Sequence, residues 1–506
     1  MSCADSASSS PSLFDSVSHN TQLFLLTAMA GLIVYGYPLS HFSLPIDGEF
    51  RDNFEQTIAF GRWGHSLLRA WLLPEPFVPF FTLLVAILAL SLAALLAARL
   101  LALTGLPALV FCTLMVGFPQ MAYQFEFINQ ADTVAIGYLL AIASTWLFCD
   151  RSRQGIARWG LLLLSVGCYA YAIGIYQTLV VVPPLMLLGK LLFDSDTRGP
   201  LPGTVIARLI GFAMVSVAAI VLYSLVTHWT QSYYQKSNVG YLTTFMNLDL
   251  SLAAYLQAVT RQVALGVAGL QNYGLTSFSL ATLAAALTIG LSLGKTRPRS
   301  LGLYRAALAA AILLLPFVLC LTSRYALPPR VLVATNLAFP LLAVYALRRF
   351  NPRWLTSIGV ALLVLHSGWV SQLFASDAAV RHADVLMANR IATVLYTNYP
   401  DFDPANTPVY FHGGIPNDSM HKLPKSDVFG SSFFAWDGGN NIRLRHFFRY
   451  YGIADWRNAD KAETMRALTH VDTMPTWPNP KAIQRHNGVM IVKLGKHRGW
   501  LPFSVD

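Results

Sequence analysis

A series of apolar runs constrains this chain more than any motif in it. They lie at about residues 22–39, 77–98, 101–117, 133–149, 159–175, 177–193, 208–227, 276–294, 303–321, 330–347 and 354–372. Most approach the roughly 20 residues that a helix needs to cross about 30 Å of hydrocarbon. Lipid offers no hydrogen bonds, so a spanning segment must satisfy its backbone internally, as a helix does. The rest of the composition agrees. The chain is 55% hydrophobic and 12% charged, with a mean hydropathy of +0.49; soluble domains carry about 25% charged residues. The expected fold is an all-α polytopic membrane protein of about 11 transmembrane helices, followed by a small α/β domain.

The net charge of +11 does not point to nucleic acid, because the basic residues sit in short loops between apolar runs. Arg99, Arg151/Arg153/Arg158, Arg198/Arg208, Lys295/Arg297/Arg299/Arg305 and Arg348/Arg349/Arg353 all fall on one side. The positive-inside rule makes that side cytoplasmic. The N-terminus is then inside and the C-terminus outside, with 41–76, 118–132 and 228–275 as outer loops. Residues 1–21 read as a disordered cytoplasmic tail, 22–372 as the membrane domain, and 373–506 as an extracytoplasmic domain. Within the last, 373–398 reads as a helical stalk, and Pro408–Phe411 and Val489–Val492 read as strands. The five cysteines show no metal-ligand or disulfide spacing, and no glycine-rich nucleotide loop is present.

Chemistry-bearing residues gather in the outer loops. Asp47, Glu49, Asp52 and Glu55 follow the first apolar run. A carboxylate shielded at a membrane edge gains a raised pKa and can act as general base; the competing role is a solvated loop. Arg62 and His65 follow on an amphipathic stretch, 61–71, suited to lie in the interface, and both are candidates for substrate binding. Glu126 and Asp132 lead into a span, where a carboxylate is costly without a partner; Asp132 serves equally well as a helix N-cap. Tyr176-Gln177 marks a joint between two spans, suited to a headgroup or to a bond between helices. Arg324 and Arg330 lie on the outer side, against the general charge trend. A guanidinium fork there suits a phosphate or pairs with loop carboxylates.

These places together resemble the polytopic glucosyltransferases of serotype-converting phages, in the C-type (GT-C) membrane glycosyltransferase superfamily. Asp47-Gly48-Glu49 with 61–68, the aromatic loop 123–133, Tyr176-Gln177 and Pro329-Arg330-Val331-Leu332 carry the resemblance. Family members more often show adjacent aspartates where this chain has Asp-Gly-Glu, which leaves Asp47, Glu49 and Asp52 all open as the catalytic acid. The resemblance implies a polyprenyl-phosphate-linked hexose as donor and inversion at its anomeric carbon. The implied acceptor is a surface glycan or its lipid-linked precursor, as in O-antigen modification of lipopolysaccharide. It also implies a place in the bacterial inner membrane, with the C-terminal domain in the periplasm. Asp47, with Glu49 close behind, would be the base, Arg330 with Arg324 would hold the departing phosphate, and Glu126 and Asp132 would orient hydroxyls. A divalent metal (Mg or Mn) is compatible with this chemistry, though no diagnostic ligand set is present. The rival readings are a transporter or flippase of lipid-linked glycan, and a glycan ligase or polymerase.

Overall fold

The computed structural model describes residues 13–50, 53–196, 202–236, 251–296, 298–323, 327–416 and 420–503. Two compact units emerge. The first takes Met1–Gly36 and Asn53–Val370; the second takes Tyr37–Asp52 and Ser371–Asp506. Asp47 and Glu49 therefore belong with the C-terminal residues, while Glu55 falls in the first unit, where it pairs with Lys236 at 2.6 Å.

In the first unit, every apolar run of the sequence has become a helix. Among the described residues, nine helices are long and apolar enough to cross a membrane, and His19–Val34 and Thr335–Leu347 are shorter apolar helices. The first helix begins at Leu13, inside the stretch expected to be a polar tail; the remainder of that tail lies outside the described residues. Pro79–Leu100 packs on Ile128–Cys149, which packs on Gly155–Ile175, while Phe278–Lys295 contacts both Arg299–Leu314 and Thr335–Leu347. Thr335–Leu347 is buried from Thr335 to Ala346, so protein surrounds it. Pro202–Tyr233 instead exposes Ile206, Ile210, Met214, Val217, Val221 and Leu225, the apolar surface that lipid solvates at no cost. Small residues bring the helices together, as they must where lipid removes the hydrophobic drive between them. A Cβ at Gly31 would lie 2.7 Å from Ile87, and the Ser144 and Ser165 hydroxyls meet at 3.2 Å.

The loop expected over 228–275 contains a helix, Leu252–Val267, capped by the Ser251 side chain on the Ala254 N–H. Its apolar residues alternate with Gln257, Arg261 and Gln262, so its amphipathic period is real but its hydropathy is too low for a span criterion.

A tight helix crossing lies beside the candidate residues. On Trp63–Trp71, Gly64 meets Gly174 of Gly155–Ile175, and a Cβ at Gly174 would fall 2.5 Å from the Trp63 ring. Trp63 is buried and meets Tyr171 edge-on at 5.3 Å, so it has no room to retreat. Gly174→Ala is expected to cost about 1–3 kcal/mol by overpacking, readable as a lower melting temperature of the purified protein; an unchanged melt would show that the ring can shift freely.

The second unit is built on a four-stranded sheet. Its strands are β1 (Pro408–His412), β2 (Arg457–Asn458), β3 (Ile483–His486) and β4 (Val489–Lys493), in the order β2-β1-β4-β3. β1 is parallel to β2 and β4, while β3 and β4 form a hairpin. Asn487 and Gly488 both take positive φ at the hairpin turn, the conformation that a two-residue connection between right-twisted strands requires. The strands expected at 408–411 and 489–492 are thus neighbours, and the stalk at 373–398 continues the last apolar run in a single helix, Pro352–Asn398. Helix Lys461–Val471 covers the sheet through Ala467 and Val471, against Tyr410 and Ile491, and an Asp460/Glu463 capping box starts it.

Candidate active site

The acidic stretch is held by a turn in which the Gly48 N–H donates to the Pro45 carbonyl at 3.0 Å. Asp47 sits in this turn at φ +73°, a left-handed conformation that a short polar side chain tolerates better than most. The turn separates the two acids by environment. The Asp47 side chain is 44% exposed, whereas that of Glu49 is fully buried.

Both reach the same cation, Arg443, 2.7 Å from Asp47 and 2.5 Å from Glu49, with Asp437 at 3.2 Å. Arg443 is placed by local structure. Asn440 caps helix Asn441–Tyr450 by accepting from the N–H groups of Ile442 and Arg443. The Asn441 amide bonds in both directions to the backbone of Phe411 on β1, at 2.7 and 2.8 Å. One turn further along the same helix, His446 packs on Phe50 at 5.0 Å. A second anchor ties the stretch to the unit. The Ser43 hydroxyl donates to Asp377 at 2.7 Å, and Asp377 pairs with buried Arg381 at 3.6 Å.

Electrostatics follow from this packing. Burial raises the Glu49 carboxyl to about 7, with Arg443 pulling it down and Asp47 pushing it up. Burial pulls the Arg443 guanidinium down, but Asp47 and Glu49 outweigh it and hold it above its ordinary value. One Glu49 oxygen accepts from Arg443, while Oε2 is buried with no hydrogen-bond partner among the described residues. Glu49 is therefore a carboxylate near half-ionisation at neutral pH with one oxygen to spare.

The first unit holds a second polar constellation where the Trp63–Trp71 helix meets the start of Ile128–Cys149. Arg69 donates to Asp132 at 2.5 Å and to the Asn129 carbonyl at 2.7 Å, with both side chains of the ion pair buried. Asp132 thus has a cationic partner, and its Oδ1 also accepts from the Thr133 N–H at 2.7 Å. His65 Nδ1 meets the Thr133 hydroxyl at 2.9 Å. Burial, then Arg69 and Arg62, lower the His65 pKa to about 3, so its ring is neutral at physiological pH. Arg62 bonds Gln130 at 3.3 Å and lies 4.8 Å over the Tyr176 ring. Gln177 bridges elements by donating to the Phe60 carbonyl at 2.7 Å. Tyr176, Gln177, Arg62 and His65 are all built into this helix joint.

A third cluster gathers residues 119–127, 272–273 and 329–330 of the same unit. Gln120 donates to the Pro329 carbonyl at 2.5 Å, Asn272 to Gln120 at 2.7 Å, and Tyr123 to the Tyr273 carbonyl at 2.9 Å. Arg330 lies 4.5 Å over the Phe127 ring, and Glu126 is buried. Gln124 is fully buried with neither amide atom hydrogen-bonded among the described residues, a demand worth about 1–3 kcal/mol if left unmet.

Of the sequence candidates, Asp47 and Glu49 share one cluster, Asp132 with Arg62, His65, Tyr176 and Gln177 another, and Glu126 with Arg330 a third. Asp52 and Arg324 lie outside the described residues. Sequence reasoning missed Arg443, Arg69 as the partner of Asp132, and Gln124. Arg443 carried no signal beyond lying on a helix with two other arginines, Arg445 and Arg449; Arg69 carried one, as the only cation of the amphipathic stretch beyond Arg62. Among the described residues, no three His, Cys, Asp or Glu side chains group as a metal ion would require.

Nine helices long and apolar enough to cross a membrane among the described residues mark the class as a multi-pass membrane protein. The family model described as glucosyl transferase GtrII matches residues 36–347, well over half of the chain. The protein belongs to that glucosyl transferase family and is a glycosyltransferase, in line with the resemblance to the enzymes of serotype-converting phages. No curated protein and no solved structure matches it. The match contains Asp47 and Glu49 and ends before helix Pro352–Asn398, so Arg443 lies beyond it.

Proposed function

We propose that this enzyme transfers a hexose, glucose being the natural choice for its family, from a polyprenyl-phosphate donor to a surface glycan or its lipid-linked precursor. Transfer occurs on the outer face of the bacterial inner membrane, with the second unit in the periplasm. The observation that carries this reading is Glu49, buried, raised to about 7 and held by Arg443. Glu49 takes the proton of the acceptor hydroxyl. That oxygen attacks the anomeric carbon from the face opposite the phosphate, the bond from carbon to phosphate oxygen breaks, and its electron pair leaves on the polyprenyl phosphate. The anomeric configuration inverts. Arg330 stabilises the developing phosphate charge, the usual role of a fixed cation at a leaving group. Glu126, Asp132 and the unbonded Gln124 amide orient sugar hydroxyls. Asp47, more exposed, tunes Glu49.

The pH profile tests this assignment. A base must be ionised, so transfer is expected to rise with pH through about 7, the value to which burial lifts Glu49. Asp47 raises that pKa, so Asp47→Asn is expected to move the rising limb to lower pH. Arg443 lowers it, so Arg443→Gln is expected to move the limb higher. Limbs that stay fixed in both variants would remove Glu49 from the role of base.

A further inference from the structure

At the end of helix Val182–Asp194, three arginines converge on one carboxylate. Asp196 receives Arg305 at 2.8 Å, Arg349 at 3.2 Å and Arg348, together with the Tyr345 hydroxyl at 3.0 Å. Arg305 also donates to the Ser195 carbonyl at 2.6 Å. Two residues earlier, Asp194 is shared by Lys190 at 2.5 Å and Arg208 at 3.8 Å. Five cations therefore meet two anions.

Holding helix ends together explains one arginine, since a single guanidinium neutralises Asp196 and complements the negative end of the helix. It does not explain three, which repel one another. Asp196 uses one terminal nitrogen each of Arg348 and Arg349. The Nε and Nη1 donors of both remain without a protein partner among the described residues, on side chains 22% and 32% exposed. Aromatic faces hold both guanidinium groups in position. Arg348 lies 4.3 Å over Phe193 and 4.8 Å over Tyr345, and Arg349 lies 4.7 Å over Tyr345. Such ordering in advance removes part of the entropy cost of binding. Just beyond, Phe350 and Trp354 are 50% and 66% exposed, the placement of aromatic residues at a membrane interface.

We infer that the Asp196 cluster is a binding site for the headgroup of an anionic phospholipid carrying two phosphates, with Phe350 and Trp354 beside its glycerol and acyl region. Three arginines less Asp196 leave a charge of about +2, which two phosphodiesters balance, and guanidinium forks bond phosphate oxygens in pairs. The site is separate from the chemistry proposed above and does not depend on it.

The test uses the full-length protein in detergent, titrated with cardiolipin, phosphatidylglycerol or phosphatidylethanolamine and read by native mass spectrometry. Cardiolipin is expected to be retained most, phosphatidylglycerol less and phosphatidylethanolamine least. Arg348→Gln with Arg349→Gln is expected to weaken cardiolipin about 30-fold. Asp196→Asn separates a lipid site from a simple tie between helices, because it removes the internal competitor while keeping every arginine. It is expected to tighten cardiolipin binding; unchanged or weaker binding in a variant that still melts cooperatively would overturn the proposal. Equal retention of the three lipids, or displacement of cardiolipin by polyprenyl phosphate at equal concentration, would overturn it as well.

Discussion

Glu49→Gln is expected to lower kcat about 10²–10⁴-fold, the contribution of a positioned general base, while leaving KM for the donor within a few-fold. The amide keeps the shape of the side chain and a hydrogen bond from Arg443, so the turn at 45–48 is retained. Only the capacity to take a proton is lost. Asp47→Asn, two residues away, is expected to retain most of the activity at pH 8, because its carboxylate is exposed where that of Glu49 is buried. Measuring transfer from a polyprenyl-phosphate sugar to a lipid-linked acceptor separates the two. Loss of activity in Asp47→Asn with full activity in Glu49→Gln would reverse the assignment. Full activity in both, and in the double variant, would place the base elsewhere.

Asp132→Ala is expected to destabilise the first unit by about 3–5 kcal/mol, because it strands a buried guanidinium. Arg69 is 5% exposed and Asp132 fully buried, so neither charge reaches water when its partner is removed. The backbone carbonyls of Asn129 and Pro74 still accept from Arg69, and the charge left to oppose its own is that of Glu75, 3.8 Å away and 38% exposed, where solvent weakens the pair. The double variant Arg69→Met with Asp132→Leu is expected to recover most of the loss, since apolar replacement of a whole buried pair is often neutral. Reversible unfolding in a detergent titration reads all three variants. A single variant within about 0.5 kcal/mol of wild type, the range of ordinary surface changes, would show that Glu75 or water meets the charge of Arg69.

The two acids of the opening loop show where the sequence stops being informative. Asp47 and Glu49 share a loop, a charge and a family resemblance, and the sequence reading puts Asp47 first, whereas the structure buries Glu49 and leaves Asp47 exposed. Their difference depends on Arg443, 394 residues beyond Glu49, placed by an asparagine cap and an asparagine clamp on β1. Asp132 is a similar case. Its place near a helix start suggested a cap, but the helix begins four residues earlier at Ile128, so Asp132 lies inside it and its charge is met by Arg69, 63 residues earlier.

The sequence by itself determined the long apolar helices, the strands at 408–411 and 489–492, and the loops that hold the candidate chemistry; that the two strands pair, and in parallel, came from the tertiary structure. Those properties rest on hydropathy over about 20 residues and on short apolar runs rich in β-branched and aromatic residues, which are local and survive without the rest of the fold. The helix at Leu252–Val267 escaped because Gln257, Thr260, Arg261 and Gln262 interrupt its apolar residues, and amphipathic period is weaker evidence than continuous hydropathy. Only the tertiary structure decided which carboxylate is buried, which cation meets it and that Asp47 and Glu49 group with the C-terminal residues. Burial and ion pairing set a pKa through desolvation and through charges a few ångströms away, and chain segments hundreds of residues apart supply both.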